Sequence, residues 1–111
     1  MSLVIEPRGR TTLVEVIDRF DVITAPEIKA ALLKAAEEGA HVIVIDLSQV
    51  TFLDSSGVGA LVAIHKAVEH QGGRLHLAAP TKQAQLVLRL TQLESMFSLH
   101  HTVNDALAEA A

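Results

Sequence analysis

Hydrophobic and polar positions change period several times along the chain, and each change predicts a secondary-structure element. Short apolar or alternating stretches bounded by turn residues indicate strands, at 3–7, 11–17, 41–48, 74–80 and 96–100. The Arg-Gly-Arg segment at 8–10 suits a tight turn, so the first two strands should form a hairpin. The run from Val42 to Ile45 has no polar residue, which is typical of a central strand covered on both faces. Residues 50–53 are interpreted as a short extension of that strand.

Helical patterns occupy four further segments, at 24–39, 57–70, 81–90 and 102–110. The first is well marked, because Thr24 can cap it, Glu27 can complete a capping box and Gly39 can end it. The last should be capped by Thr102 or Asn104. Strands that alternate with helices predict an α/β protein with about four helices. The opening hairpin makes the predicted sheet of four to five strands mixed, mainly parallel.

Length and composition narrow the class of protein. A chain of 111 residues suits a single domain, predicted here to span residues 1–111. The net charge is −4 and the nine basic residues are scattered, so neither nucleic acid nor an anionic membrane is expected as a partner. No stretch reaches the roughly 18 apolar residues of a membrane span. The first hydrophobic stretch is too short for a signal peptide, and a cytoplasmic location is expected.

No metal and no cofactor are expected. The chain has no cysteine, which excludes thiolate metal sites and a cysteine nucleophile. Its six histidines show no His-x-x-x-His spacing. His65 and His70 lie on different sides of a predicted helix, and His100 and His101 are adjacent. The pattern therefore predicts surface or partly buried histidines.

Asp54, Ser55, Ser56 and Gly57 stand at a strand-to-helix turn, between two otherwise apolar stretches. The simplest interpretation is that Ser55 or Ser56 caps the helix. A hydrolase with Ser56 as nucleophile is a second interpretation, although Asp54 stands where a nucleophile elbow has its first glycine. A phosphate-binding loop is a third, but the segment lacks a Gly-Lys-Ser/Thr ending and Asp54 would repel an anion. In the fourth, a kinase phosphorylates the serine, since a helix start tolerates the added charge.

The stretch VIVIDLSQVTFLDSSGVGALVAIHKAVEHQGGRLHLAAP, which begins at Val42, resembles the core of the STAS domain. This family is named for sulphate transporters and anti-sigma factor antagonists. The resemblance covers almost the whole chain. It depends on the order and spacing of a Val/Ile-rich strand, Asp46, the Asp-Ser-Ser-Gly motif and the Gly72-Gly73 pair before a strand.

The resemblance implies that the protein is an anti-sigma factor antagonist and not an enzyme. In such family members the serine directly before the glycine is phosphorylated, and that position is Ser56. The implied partner is an anti-sigma factor with serine kinase activity. The unphosphorylated antagonist binds it and releases a sigma factor, phosphorylation of Ser56 ends the binding, and a serine phosphatase restores it. The alternative is an adaptor STAS domain, of a lipid-transport ATPase or a signalling scaffold, in which the motif serves contact only.

The environment of the phosphorylation site is predicted to comprise Asp21, Asp54, Ser55 and Gly57. Asp21 matches the end of a Gly-x-hydrophobic-Asp motif that the family has before its first helix, whereas Asp18 stands in place of the glycine. Ser55 is expected to turn inward, which leaves Ser56 as the acceptor.

The second helix predicts a docking surface for the partner. On a helical projection, Leu61, Ile64 and Val68 cluster on one side and should face the sheet. Val58 and Val62 project toward the side that also carries charged residues. Apolar side chains on a partly exposed face beside Ser56 are typical of a docking surface, so Val58 and Val62 are predicted to bind the partner.

Overall fold

The computed structural model describes residues 2–110; Met1 and Ala111, the ends of the predicted domain, lie outside the described residues. The strands are β1 (Leu3–Arg8), β2 (Thr11–Val16), β3 (Asp18–Phe20), β4 (Val42–Asp46), β5 (Val50–Leu53), β6 (Arg74–Ala78) and β7 (Ser98–His100). The helices are α1 (Ala25–Glu37), α2 (Ser55–His70), α3 (Lys82–Leu90) and α4 (Val103–Ala110). Within this part of the chain, no helix combines the length and the apolar character needed to cross a membrane.

The main sheet confirms the predicted mixed, mainly parallel arrangement. Its strand order is β1-β2-β4-β6-β7. β1 and β2 form the antiparallel hairpin, and the other neighbouring strands are parallel. β4 lies in the middle, where Ile43, Val44 and Ile45 are fully buried. The apolar run of this strand is therefore covered on both faces, as its sequence predicts.

The prediction that residues 50–53 extend the central strand is wrong. They form β5, which pairs with β3 in a separate two-stranded parallel sheet. The Asp46 carboxylate accepts the Ser48 N–H at 2.9 Å, and the Val50 N–H donates to the Leu47 carbonyl at 3.1 Å. Such side-chain and backbone bonds make a turn, which ends β4 and sends the chain toward β3.

Asp18 adopts a left-handed backbone conformation at the start of β3. Its φ is 69°, in the region that glycine adopts most easily and that aspartate tolerates better than most residues. Its carboxylate accepts a hydrogen bond from the Thr51 hydroxyl at 2.9 Å. The aspartate in place of the motif's glycine thus adopts a conformation that suits glycine and also joins β3 to β5.

The two faces of the main sheet are covered unequally. Ile43 and Ile45 belong to the large core, which includes apolar side chains from α1, α2 and α3. On the other face, Val44 and Ala78 form a small cluster with Ala106 of α4. Because successive side chains of a strand point to opposite faces, α4 covers the face that the other three helices leave open. Its first turn is capped as predicted, since the Thr102 hydroxyl accepts the Asp105 N–H at 3.0 Å.

Candidate functional site

Asp54, and not a serine, caps α2. The helix begins at Ser55, and Oδ1 of Asp54 accepts the N–H groups of Ser56 and Gly57 at 2.9 and 3.1 Å. The prediction that Ser55 or Ser56 is the N-cap is therefore wrong. Asp54 has the extended backbone of a cap residue (φ −118°, ψ −173°). Its negative charge also suits the positive end of the helix dipole.

The second carboxylate oxygen of Asp54 reaches the loop before α1. Its Oδ2 accepts the Val22 N–H at 3.3 Å. A further long-range bond runs from the Asp54 N–H to the Phe20 carbonyl, also at 3.3 Å. One residue therefore caps α2 and holds the β3–α1 loop against the start of that helix.

Asp21 organises the same loop from within and is 6% exposed. Its carboxylate accepts a hydrogen bond from Nε–H of Arg19 at 2.7 Å. It also accepts hydrogen bonds from the backbone N–H groups of Ile23 and Thr24 at 3.0 and 3.3 Å. The hydrogen bond from Arg19 is the largest influence on the pKa of Asp21 and lowers it below its ordinary value. Burial opposes this effect, and the backbone bonds from Thr24 and Ile23 reinforce it. Asp21 therefore anchors the β3–α1 loop through Arg19 and the backbone of residues 23 and 24.

The prediction that Thr24 and Glu27 form a capping box at the start of α1 is wrong. Thr24 precedes the helix, but its side chain makes no cap hydrogen bond. Its hydroxyl donates to the Arg19 carbonyl at 2.8 Å and accepts the Asp21 N–H at 3.1 Å. The Thr24 hydroxyl is bonded within the loop and therefore does not cap the helix. The carboxylate of Asp21 accepts the backbone N–H groups of the two residues that lead into the helix.

Gly57 lies where two segments of backbone meet. A Cβ atom there would come within 2.4 Å of the Phe20 carbonyl oxygen and 2.6 Å of Cδ1 of Leu53. Real Cβ atoms do not approach a backbone oxygen so closely, so a larger residue would push β3 and α2 apart. Gly59, two residues later, meets nothing within 4 Å. The glycine of the Asp-Ser-Ser-Gly motif is therefore required for packing against β3.

Ser55 and Ser56 are exposed in the opposite order from the one predicted. Ser55 is exposed and Ser56 is half-buried, so the expectation that Ser55 turns inward is wrong. Ser56 faces a groove of about 480 Å³ at the junction of the β3–α1 loop, α1 and α2. The hydrogen bonds of residues 2–110 include none made by the Ser56 hydroxyl.

The groove beside Ser56 has mostly apolar walls. Its lining consists of Val22, Ala25, Pro26, Lys29, Ser56, Gly59 and Ala60. Val22 is 63% exposed, and its neighbour Ile23 is 81% exposed. The lining has no histidine, so the hydrolase interpretation finds no imidazole base in the groove. Sequence reasoning missed Val22, Ile23 and Lys29; the adjacent Val22-Ile23 pair after Asp21 is the signal that could have found them.

A comparison with protein-family models matches residues 2–106 to the STAS domain. The chain belongs to the STAS domain family. The fold and the family match thus confirm the resemblance that the Asp-Ser-Ser-Gly motif carries.

Relatives of this STAS domain include named anti-sigma factor antagonists. The chain is 31% identical to the anti-sigma-B factor antagonist of Bacillus subtilis over 86 residues. This matched stretch covers 78% of each of the two chains. Among solved structures, an anti-sigma factor antagonist from Mycobacterium paratuberculosis superposes with a TM-score of 0.89 at 29% identity, covering 97% of this chain and 92% of the other. The Bacillus cell fate determinant SpoIIAA in its phosphorylated form superposes with a TM-score of 0.78 at 23% identity, covering 98% and 99%. That last likeness shows the fold alone.

Helix α2 of the STAS domain faces the core more completely than its projection predicts. Leu61, Ile64 and Val68 are buried, as expected. Val58 is only 6% exposed and belongs to the core, so the prediction that it projects from the surface is wrong. Val62 is half-buried and packs against the same core. α1 lies on the other side of α2, where Ser56, Gly59 and Ala60 line the groove. The side that was expected to be free carries His65, which lies two turns beyond Val58 and whose ring packs edge-on against the buried Phe97.

Proposed function

We propose that this STAS domain is an anti-sigma factor antagonist controlled by phosphorylation of Ser56. In its unphosphorylated form it binds an anti-sigma factor that is also a serine kinase, and a sigma factor is released. Phosphorylation of Ser56 ends the binding, and a serine phosphatase reverses the modification. The protein is then a substrate of its partner and not itself an enzyme. The observation that carries the proposal is the position of the Ser56 hydroxyl, which is free of protein hydrogen bonds and faces an apolar groove.

Ser56 is a suitable acceptor because of its place in the helix. It is the second residue after the Asp54 cap, so the adjoining peptide dipoles tolerate a phosphate. When a kinase docks on the groove, the Ser56 hydroxyl would lie at the edge of the surface that the two proteins share. Ser55 is more exposed but does not line the groove, so docking there would not direct it toward the partner's active site.

A phosphate on Ser56 would oppose docking in two ways. It adds about −1.5 to −2 charges to a surface that the partner must desolvate. It also stands two residues from Asp54, whose carboxylate already accepts the Ser56 and Gly57 N–H groups. The phosphate would compete for these donors and repel the carboxylate. Because that carboxylate also holds the Val22 N–H, phosphorylation should loosen the loop that carries the exposed apolar pair.

The partner-binding surface is proposed to centre on Val22 and Ile23 and to extend along the groove. Exposed apolar side chains around a concave site are the usual anchors of a protein interface. Lys29 places a positive charge at the same groove, which suits an acidic residue on the partner. Val62 follows Gly59 by one helical turn and would lie at the margin, whereas Val58 would act only by supporting the surface from below.

Mass spectrometry of the protein from its native cells tests the modification. The proposal expects a single phosphate on Ser56, and a phosphate on Ser55 with Ser56 bare would contradict it. A kinase gene and a sigma factor gene beside the coding sequence would favour the antagonist, whereas transporter subunit genes would favour the adaptor alternative.

Binding of variants to the partner kinase tests the switch. Ser56→Ala should fold normally, since the hydroxyl makes no protein hydrogen bond and alanine is a better helix former, and it should bind the kinase permanently. Ser56→Asp should bind more weakly than wild type. Ser55→Ala is the matched control and should be phosphorylated and released like wild type. Equal binding by the phosphorylated and unphosphorylated proteins would refute the switch.

A further inference from the structure

Two histidines from neighbouring strands meet on the face of the sheet that α4 covers. In the parallel pairing of β6 and β7, His76 lies opposite Ser98 and Ala78 lies opposite His100. His76 and His100 are therefore diagonal neighbours on one face. Nδ1 of His76 is 3.0 Å from Nε2 of His100, and the ring centroids are 5.2 Å apart.

Glu109, near the end of α4, completes the cluster. Its Oε2 lies 3.9 Å from Nδ1 of His100. One ligand atom from each of the three residues can be chosen so that all three atoms lie within 4.8 Å of one another. Among the described residues, this is the one group of three such side chains that meets that condition.

The two histidine rings are hydrogen-bonded to each other, and His76 is 2% exposed. At 3.0 Å, one ring must donate an N–H to the lone pair of the other. For a divalent cation to bind between the rings, the donor ring would move this proton to its other nitrogen, so that both rings stay neutral and each turns a lone pair toward the ion.

We propose that His76, His100 and Glu109 form a binding site for a divalent cation of the zinc class. Two imidazole nitrogens and one carboxylate oxygen form a donor set that suits Zn²⁺ and neighbouring borderline metals better than Mg²⁺ or Ca²⁺. Bonds of about 2.0–2.1 Å place tetrahedral ligand atoms about 3.3 Å apart. The histidine nitrogens are already near that separation. Glu109 has a 64% exposed side chain, so it can close the remaining gap, and water would take the fourth position.

The metal would fasten α4 to the sheet. The buried contact between them is small and includes Val44, Ala78 and Ala106. A cation held by β6, β7 and α4 would join all three elements at the far edge of the sheet. Because the site exists only in the folded chain, binding would stabilise the domain by mass action. With Zn²⁺ at 100 times the dissociation constant, the Tm should rise by about 10 °C.

Calorimetric titration of the chelator-treated full chain with Zn²⁺ alone tests the site. The proposal expects one saturable site, an accompanying rise in Tm, and at least a roughly tenfold loss of affinity in His100→Gln and in Glu109→Gln. His101→Gln is the matched control, because it removes the neighbouring exposed imidazole and should leave the affinity unchanged. Glu109 is exposed, so its variant should fold even where His100→Gln does not.

Three results would overturn the proposal. The first is a wild-type protein without saturable one-to-one Zn²⁺ binding. The second is a Glu109→Gln variant that binds as tightly as wild type. In the third, the loss of affinity follows His101→Gln instead of His100→Gln, which would move the metal to a different histidine. Each can be read without the partner kinase, so the outcome is independent of the proposed phosphorylation switch.

Discussion

Oδ2 of Asp54 accepts the backbone N–H of Val22, a residue 32 positions earlier in the chain, at 3.3 Å. Oδ1 of the same carboxylate caps α2 at Ser56 and Gly57. The first turn of the helix and the loop that exposes Val22 and Ile23 therefore depend on one side chain. We therefore expect a phosphate on Ser56 to act through this carboxylate on the β3–α1 loop, the proposed docking loop, without any rearrangement of the fold.

Substitutions at Asp54 should separate its two roles. Asp54→Ala removes both and should lower the free energy of unfolding by about 0.5–2 kcal/mol, the usual cost of a lost cap. Asp54→Asn keeps one acceptor oxygen for the cap, but its amide cannot accept the Val22 N–H. It should therefore stay close to wild type in stability while partner affinity falls. Urea unfolding and calorimetric binding measure the two effects.

The matched control for Asp54 is Asp46→Asn, which alters another carboxylate that accepts a backbone N–H, in this case that of Ser48. Its amide keeps one oxygen for this bond, so it should stay close to wild type in both stability and partner binding. Wild-type affinity in Asp54→Asn would show that the link to Val22 does not shape the docking loop.

Gly57→Ala should destabilise the domain, because the new Cβ would lie 2.4 Å from the Phe20 carbonyl oxygen. The loss should be about 1–3 kcal/mol, the usual range for overpacking. Gly59→Ala makes the same change two residues later on the same helix, where nothing lies within 4 Å. It should gain about 0.5–1 kcal/mol, since alanine restricts the unfolded chain and favours helix. Denaturant midpoints of the two variants should thus move in opposite directions.

Stability should fall in acid partly through Asp21. Its pKa in the folded protein is lowered, chiefly by the Arg19 hydrogen bond. The stabilisation is therefore present above the unfolded pKa of about 3.9 and is lost as pH falls through the lower folded value. Asp21→Asn should lose stability near neutral pH and should show a shallower decline below about pH 4.

Arg19→Met provides the companion test, because it removes the main cause of the shift while keeping a long side chain. Unfolding free energies measured across the acid range should decline less steeply than those of wild type. An unchanged slope in both variants would assign the acid sensitivity to other carboxylates.

Ile23→Glu should weaken partner binding at least about tenfold while the domain remains folded. Ile23 is 81% exposed, so the carboxylate stays in water in the free protein and must be desolvated only in the complex. Leu90→Glu is the matched control, because Leu90 is 72% exposed on α3 and does not line the groove. Pull-downs in which Leu90→Glu is the defective variant would move the docking surface to α3.

The periodicity of the sequence determined most of the elements and the class of the fold. The apolar run at 42–45 identified the central strand, and the Asp-Ser-Ser-Gly motif was correctly placed where a strand gives way to a helix, although α2 begins at Ser55 and not at 57. These features follow from local rules, because strand and helix periods and turn residues act within a few positions. The STAS resemblance could therefore be recognised before any three-dimensional contact was known.

Tertiary structure decided which polar group serves which purpose. Asp54, and not a serine, caps α2 because its second carboxylate oxygen also accepts the Val22 N–H. No local pattern around Asp54 reveals that partner. Residues 50–53 do not extend the central strand because they pair with β3 instead. Val58 is buried on the side of α2 where the ring of His65 packs against Phe97, far away in the sequence.

Tertiary structure also decided the histidine cluster at the far edge of the sheet. His76 and His100 are 24 residues apart, and α3 lies between them in the chain. Parallel strands joined by a helix have no short turn to fix their register, so only packing in three dimensions decides which side chains become neighbours. Sequence spacing could exclude a helical metal motif, but it could not foresee two imidazoles 3.0 Å apart.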